Sequence, residues 1–129
     1  MKKVSWGIIG LGAVALGFAN GFKFTNNAKL LGVASKESNK IKKFQKEFKI
    51  DKNYCFNKYE YLIENNDIDI IYIALPTSLH HEWVCKCLEK GKKVLVEKPA
   101  TMNSAEIVDI KKKYFSKEIF LSEALMYMY

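Results

Sequence analysis

The chain has 129 residues, enough for one domain with a substantial core, and nearly half of them are apolar, which excludes a disordered polypeptide. Its net charge of +7 comes wholly from lysines spread through nearly every segment, with no arginine, so it argues against nucleic-acid binding, where arginine forks and clustered bases dominate. No apolar run approaches the roughly 20 residues that span a bilayer, and the Met1-Lys2-Lys3 start leads into a folded unit, not a signal peptide; a cytoplasmic chain without a membrane partner is expected.

Val4 to Ile9 is an apolar run with one polar interruption, as in a strand covered on both faces. The turn Gly10-Leu11-Gly12-Ala13-Val14-Ala15 follows, with a helix predicted over Val14 to Phe22. In such a turn the first glycine permits the tight bend and the second lets the backbone approach a pyrophosphate. The third position, here Ala15, must be small for the helix to pack on the strand. The helix N-terminus then offers free amides and partial positive charge. Glycines also serve ordinary turns, but this one sits between a buried strand and a helix, which makes it a candidate cofactor cradle.

Lys29 to Ser35 reads as the second strand. An NAD site usually has Asp or Glu at its end to accept from the ribose 2′-hydroxyl. Here Ser35 and Lys36 suit a 2′-phosphate better, so NADP is the preferred cofactor, and Glu37 keeps NAD use open. The plainer alternative is that Lys36 is one of many surface lysines. Ser38 is expected to cap a helix that turns Ile41, Phe44 and Phe48 inward. Cys55-Phe56 forms a short strand and Lys58 to Glu64 another helix.

Ile68 to Leu75, the most apolar run, is the expected central strand, ended by Pro76. Thr77 or Ser78 is expected to cap the helix from Leu79 to Lys90, which carries Trp83, Val84, Cys87 and Leu88 inward and stops at Gly91. His80 is a candidate to contact the cofactor or line the substrate site, whereas His81 is expected at the surface. Of Cys85 and Cys87 only Cys87 shares the apolar face, and with Cys55 the set lacks zinc spacing. Reduced structural thiols and no metal site are expected.

Lys93 to Glu97 is the next strand, delivering Glu97 and Lys98 before Pro99 biases the backbone at Lys98 toward an extended form. A lysine held at such a strand end can donate a hydrogen bond to a hydroxyl or carbonyl oxygen while hydride moves; the plainer alternative is a strand-end ion pair. Asn103 and Glu106 form a capping box for a helix through Phe115, with Ile107, Ile110 and Tyr114 inward and Lys111-Lys112-Lys113 solvated. Ile119 to Ala124 closes the series as a strand.

This alternation predicts an α/β fold, a doubly wound parallel sheet in a single domain, with right-handed crossovers and helices on both faces. Ligands bind such sheets at the carboxyl ends of the strands. Four segments converge there: Gly10 to Ala15, Ser35-Lys36, Pro76 to His80, and Glu97-Lys98.

Taken together these residues resemble the N-terminal nucleotide-binding domain of the Gfo/Idh/MocA family of NAD(P)-dependent oxidoreductases. The resemblance covers Gly-Ile-Ile-Gly-Leu-Gly at 7 to 12, Ala-Leu-Pro-Thr-Ser-Leu-His at 74 to 80, Gly-Lys-Lys-Val-Leu-Val-Glu-Lys-Pro at 91 to 99 and Glu-Ala-Leu-Met-Tyr at 123 to 127. It implies a Rossmann-type domain over residues 1–122, with 123–129 opening the connection to a second, substrate-binding domain expected beyond Tyr129, so that the chain reads as truncated. It also implies oxidation of a sugar, cyclitol or diol hydroxyl with Lys98 as the catalytic lysine, most like the branch of dihydrodiol and xylose dehydrogenases, which tends to use NADP. The residues expected to hold the cofactor are Gly10, Leu11, Gly12, Ala13, Val14, Ser35, Lys36, Leu75, Pro76, Thr77, His80, Glu97 and Lys98. A sugar or diol is the expected small-molecule partner once the second domain is supplied, and a homo-oligomer is compatible with the family. Met128 departs from the pattern, since family members often carry Arg there. The alternative functions are a stand-alone NADP(H)-binding module without catalysis and, less well supported, a basic nucleic-acid-binding domain.

Overall fold

Strands buried on both faces need apolar side chains at successive positions, and the centre of this chain supplies them: all four residues of the strand Ile70–Ile73 are buried. The computed structural model describes residues 2–114 and 116–124. In chain order the elements are β1 (Val4–Ile9), α1 (Ala13–Asn20), β2 (Ala28–Ala34), α2 (Ser38–Phe48), β3 (Cys55–Phe56), α3 (Tyr59–Glu64), β4 (Ile70–Ile73), α4 (His80–Glu89), β5 (Lys93–Glu97), α5 (Ser104–Tyr114) and β6 (Leu121–Ala124). Every strand pairing is parallel, in the order β3-β2-β1-β4-β5-β6. The expected α/β doubly wound sheet is therefore present, and its order reverses between β1 and β4.

Alternation along the strands divides the core in two. Ile8, Val33 and Tyr72 join Leu11, Ala15 and Ala19 around α1, and Phe44 of α2, on one face. Ile9, Ala34, Ile71, Ile73, Val94 and Val96 face α3, α4 and α5 through Leu62, Trp83, Val84, Cys87 and Ile110. A fully buried Ile or Leu in either layer contributes about 1.5–3 kcal/mol through burial alone. Aromatic pairs reinforce both layers: Phe18 stacks on Tyr72 with centroids 4.0 Å apart, and Tyr59 meets Trp83 edge-on at 4.9 Å. No helix among the described residues is long and apolar enough to cross a membrane.

Several local expectations need correction. α1 ends at Asn20 and the chain passes through a 3-10 turn over Gly21–Phe24 in place of helix to Phe22. Ser38 does not cap α2; Glu37 occupies that position without a side-chain bond. Neither Thr77 nor Ser78 caps α4, because both lie in a 3-10 turn (Thr77–Leu79) that leaves Leu79 at the cap. The strand expected over Ile68 to Leu75 narrows to Ile70–Ile73, since Ile68 N–H closes the preceding turn onto Asn65 O. The capping box at α5 forms with a shift. Asn103 Oδ1 accepts from Glu106 N, but the Glu106 carboxylate accepts from Met102 N, not from its partner's own amide. The predicted end of that helix at Phe115 lies outside the described residues.

α4 ends where Gly91 takes φ 75, a left-handed value, and Lys92 N bonds back to Cys87 O. Lys92 is a charged residue inside the fold, with 8% exposure. Its ammonium donates to Asn65 O and Ile68 O, each at 2.6 Å, and so ties the turn before β4 to the turn before β5. Burial pushes its pKa below the ordinary lysine value. Lys92→Met keeps the stem and removes the donor, leaving two carbonyls without their partner. Urea unfolding is expected to register a loss of about 3 kcal/mol. A loss below about 1 kcal/mol would mean that water replaces the ammonium.

Candidate functional site

The site begins where β1 stops. Gly10 sits at φ 90, and a Cβ there would lie 2.6 Å from Ala74 O, the carbonyl just past β4. Only glycine fits, because the backbone is left-handed and Ala74 O closes on it; the helices after β1 and β4 pack in different core layers, the position where open α/β sheets form their crevice. Gly12 is different. It is the cap of α1 with φ −88, a conformation open to any residue, and a Cβ on it would meet nothing within 4 Å. No side chain caps α1, and Gly12, Ala13 and Val14 are exposed. The first-turn amides of α1 thus face an open cradle above Gly12, and these residues fit a pyrophosphate. Ala15, fully buried, lets the helix lie against the sheet.

At the end of β2, Ser35 is buried, with its amide donating to Phe56 O and its Oγ accepting from Glu37 N at 3.1 Å. Its hydroxyl proton is still available for donation. The Lys36 ammonium stands 5.5 Å from the centre of the Tyr59 ring, a cation–π contact on an exposed side chain. The Glu37 carboxylate is paired with Lys40 at 2.6 Å.

The turn that carries Lys98 follows β5, with a cis Lys98–Pro99 peptide bond. Three side chains from three other elements grip it. Tyr72 of β4 donates its hydroxyl to Glu97 Oε2 at 2.8 Å. His80, at the start of α4, places Nδ1 2.8 Å from Pro99 O, and Glu123 of β6 accepts from Ala100 N at 2.7 Å. Burial, then the Glu97 carboxylate, raises the Tyr72 phenol pKa, which keeps it a donor. Lys98 itself is exposed, and among the described residues no ion pair joins it to Glu97. The turn is fixed while its lysine projects from the fold.

His80 departs from its expected role. Its ring is 1% exposed, and the second nitrogen, Nε2, lies 2.6 Å from Leu75 O, so both nitrogens are engaged by backbone carbonyls. It therefore positions the Leu75 to Pro76 loop and the Pro99 turn and has no ring nitrogen left for a ligand. Pro76 is exposed, Thr77 half-buried and Leu75 buried beside it, at the carboxyl end of β4. Parallel order brings all four expected segments, after β1, β2, β4 and β5, to the same edge of the sheet. Sequence reasoning missed two members of the site's frame, Tyr72 and the bracing role of Glu123. A single hydroxyl within Ile70-Ile71-Tyr72-Ile73 was the available signal, because a buried tyrosine must find a partner for it.

Known proteins are similar to this chain in sequence and fold. A family model described as an oxidoreductase family with an NAD-binding Rossmann fold, Gfo/Idh/MocA, matches residues 4–123. The trans-1,2-dihydrobenzene-1,2-diol dehydrogenase of Mus musculus is 33% identical over 122 residues, covering 93% of this chain and 36% of its own length. A dTDP-3,4-didehydro-2,6-dideoxy-alpha-D-glucose 3-reductase of Saccharopolyspora spinosa is 31% identical over 100 residues, 78% of this chain and 29% of that protein. Among solved structures, a 3-ketoreductase from Actinomadura kijaniata in complex with NADP and TDP-benzene superposes with a TM-score of 0.85 at 27% identity, over 95% of this chain and 37% of that one. The chain thus spans about a third of the length of the relatives it matches. By the family match, the sheet order and the glycine turn, it belongs to the Gfo/Idh/MocA oxidoreductase family, as its NAD-binding Rossmann fold.

Proposed function

We propose that the sheet through β6 (Leu121–Ala124) is the cofactor-binding part of a dehydrogenase or reductase that moves hydride between NADP and a sugar, cyclitol or diol oxygen, working with a separate substrate domain. The boundary expected after residue 122 falls inside that strand, since Glu123 and Ala124 pair with β5. The observation that carries this reading is the braced Lys98 turn on the same sheet edge as the open cradle above Gly12. A binding module without catalysis has no need of a lysine held out by three separate elements, so the stand-alone alternative is not favoured.

In this reading the α1 amides of Ala13 and Val14 receive the pyrophosphate, and Gly10, Leu11 and Gly12 form the floor beneath it. Leu75, Pro76 and Thr77 border the crevice from β4, and Glu97 anchors the base of the Lys98 turn. When bound, the dinucleotide supplies or accepts the hydride. Lys98 Nζ donates to the substrate oxygen and passes a proton to it, or takes one back, according to the direction of reaction. Substrate class rests on the relatives: a diol dehydrogenase, a deoxyglucose 3-reductase and a ketoreductase held with a TDP-bearing ligand.

The preference for NADP is argued from Ser35 and Lys36. With a hydroxyl able to donate and an ammonium nearby, a 2′-phosphate gains charge-assisted bonds, whereas Glu37, the acid that could accept from a free ribose, is held by Lys40. Titration calorimetry is expected to give NADPH a dissociation constant about tenfold or more below that of NADH, with Lys36→Ala narrowing the gap. Equal or tighter NADH binding rejects the argument.

A further inference from the structure

Helix α4 carries His81 and Cys85 four residues apart, one above the other on a single face, and α5 sets Asp109 against them. His81 Nε2, Cys85 Sγ and a carboxylate oxygen of Asp109 all lie within 4.8 Å of one another. The two shortest separations share one atom: His81 Nε2 is 2.7 Å from Asp109 Oδ2 and 3.9 Å from Cys85 Sγ. A nucleophile relay needs the thiol and the carboxylate on opposite ring nitrogens, so the cluster is not one. Thiol and acid instead converge with the imidazole edge on one point. None of the three residues takes part in the glycine cradle or grips the Lys98 turn.

The surroundings suit an ion. Cys85 is buried at 7% exposure, contrary to the expectation that only Cys87 faces inward, whereas His81 and Asp109 are 27% and 40% exposed at the side chain. The cluster has a dry floor and an open mouth. A cation already rests there, since Lys113 Nζ lies 3.1 Å from Asp109 Oδ2, and its 51% exposed side chain can swing clear into solvent.

We propose that His81, Cys85 and Asp109 form a binding site for a borderline divalent transition ion of the zinc class, with a fourth position left to water. Nitrogen, sulfur and a single carboxylate match the ligand chemistry of such ions, whereas calcium and magnesium demand mostly oxygen. Metal–ligand bonds of about 2.0–2.3 Å in a tetrahedron place donors roughly 3.3–3.7 Å apart. Side-chain rotation must therefore open the His81–Asp109 contact and draw Cys85 in slightly. Binding exchanges the Cys85 thiol proton for the ion and releases it to solvent. The Nε2 proton that His81 donates to Asp109 shifts to Nδ1 or leaves with solvent so that Nε2 can ligate, and the Lys113 ammonium leaves Asp109. The bound ion ties α4 to α5.

Cobalt(II) alone, titrated into the metal-free protein, is the test. One equivalent is expected to give a thiolate-to-cobalt charge-transfer band with the intense visible bands of a tetrahedral site, and zinc is expected to displace both. Cys85→Ala is expected to abolish the charge-transfer band, and His81→Gln or Asp109→Asn to weaken binding by well over about tenfold, while Cys55→Ser leaves it unchanged. His81 and Asp109 lie on the exposed side of the helix pair, so their variants carry the test if Cys85→Ala does not fold. Absence of a thiolate band at about 1 mM cobalt, an affinity too weak for a site, overturns the proposal. So does a band that survives loss of Cys85 or is unaffected by both His81→Gln and Asp109→Asn.

Discussion

Lys98→Ala, made in a full-length context with the substrate domain present, is expected to lower kcat/KM by about a thousandfold or more while the dissociation constant for NADPH moves less than about threefold. The split follows from the geometry. Cofactor affinity in the proposed function resides in the α1 amides, the glycine turn and the end of β2, all on strands other than β5. Lys98 adds one donor at the exposed end of a braced turn, and its value is greatest where charge develops on the substrate oxygen. Nothing that holds the turn depends on the lysine side chain, because Tyr72, His80 and Glu123 contact Glu97, Pro99 and Ala100. The variant should therefore fold as the parent does, which circular dichroism checks. Steady-state turnover on a panel of sugars and diols, paired with NADPH titration, decides the matter. Turnover within about tenfold of the parent rejects a catalytic role for Lys98.

The two glycines of the turn are expected to fail in opposite ways when changed to alanine. Gly10→Ala forces a side chain into a left-handed conformation and drives its Cβ against Ala74 O, a backbone atom that cannot swing away. A loss of about 3 kcal/mol or outright misfolding is expected, whether or not a dinucleotide is present. Gly12→Ala meets no protein atom and no backbone restriction, so unfolding free energy should stay within about 0.5 kcal/mol of the parent. Its methyl group occupies the cradle where a pyrophosphate would approach, and NADPH affinity is expected to fall by about a hundredfold, roughly 2.7 kcal/mol. Denaturant unfolding and calorimetric titration of the same two proteins separate the roles. A Gly12→Ala protein that binds NADPH as tightly as the parent removes the cradle from the proposed site.

The architecture was legible because its signals are local and repeated. Val4–Ile9 and Lys93–Glu97 were both bounded by their apolar runs, and alternation with helical patterns required parallel strands. Helix caps were read less well. Ser38, Thr77 and Ser78 are capping residues by type, but a cap also needs a backbone path that composition does not encode, and here the path through 77–79 is itself a 3-10 turn. The inward face of α4 was drawn too narrow because that helix packs against both the sheet and α5; Cys85 looks toward the second neighbour. The bracing of the Lys98 turn was invisible for another reason. Tyr72 and Glu97 are 25 residues apart and Glu123 and Ala100 are 23 apart, so no window along the chain contains both ends of either bond.

The imidazole of His80 has a mechanical consequence. Wedged between Leu75 O at 2.6 Å and Pro99 O at 2.8 Å, it couples the loops that leave β4 and β5. Tyr72 adds a second strut from β4 to the same turn. The height of Lys98 above the sheet is thereby referenced to β4, which lies directly beside β1 and its glycine turn. The outer strand β6 reaches the turn through its ladder with β5 and the Glu123 contact, and the two struts from the β4 side oppose its breathing, so the sheet's centre carries its own gauge.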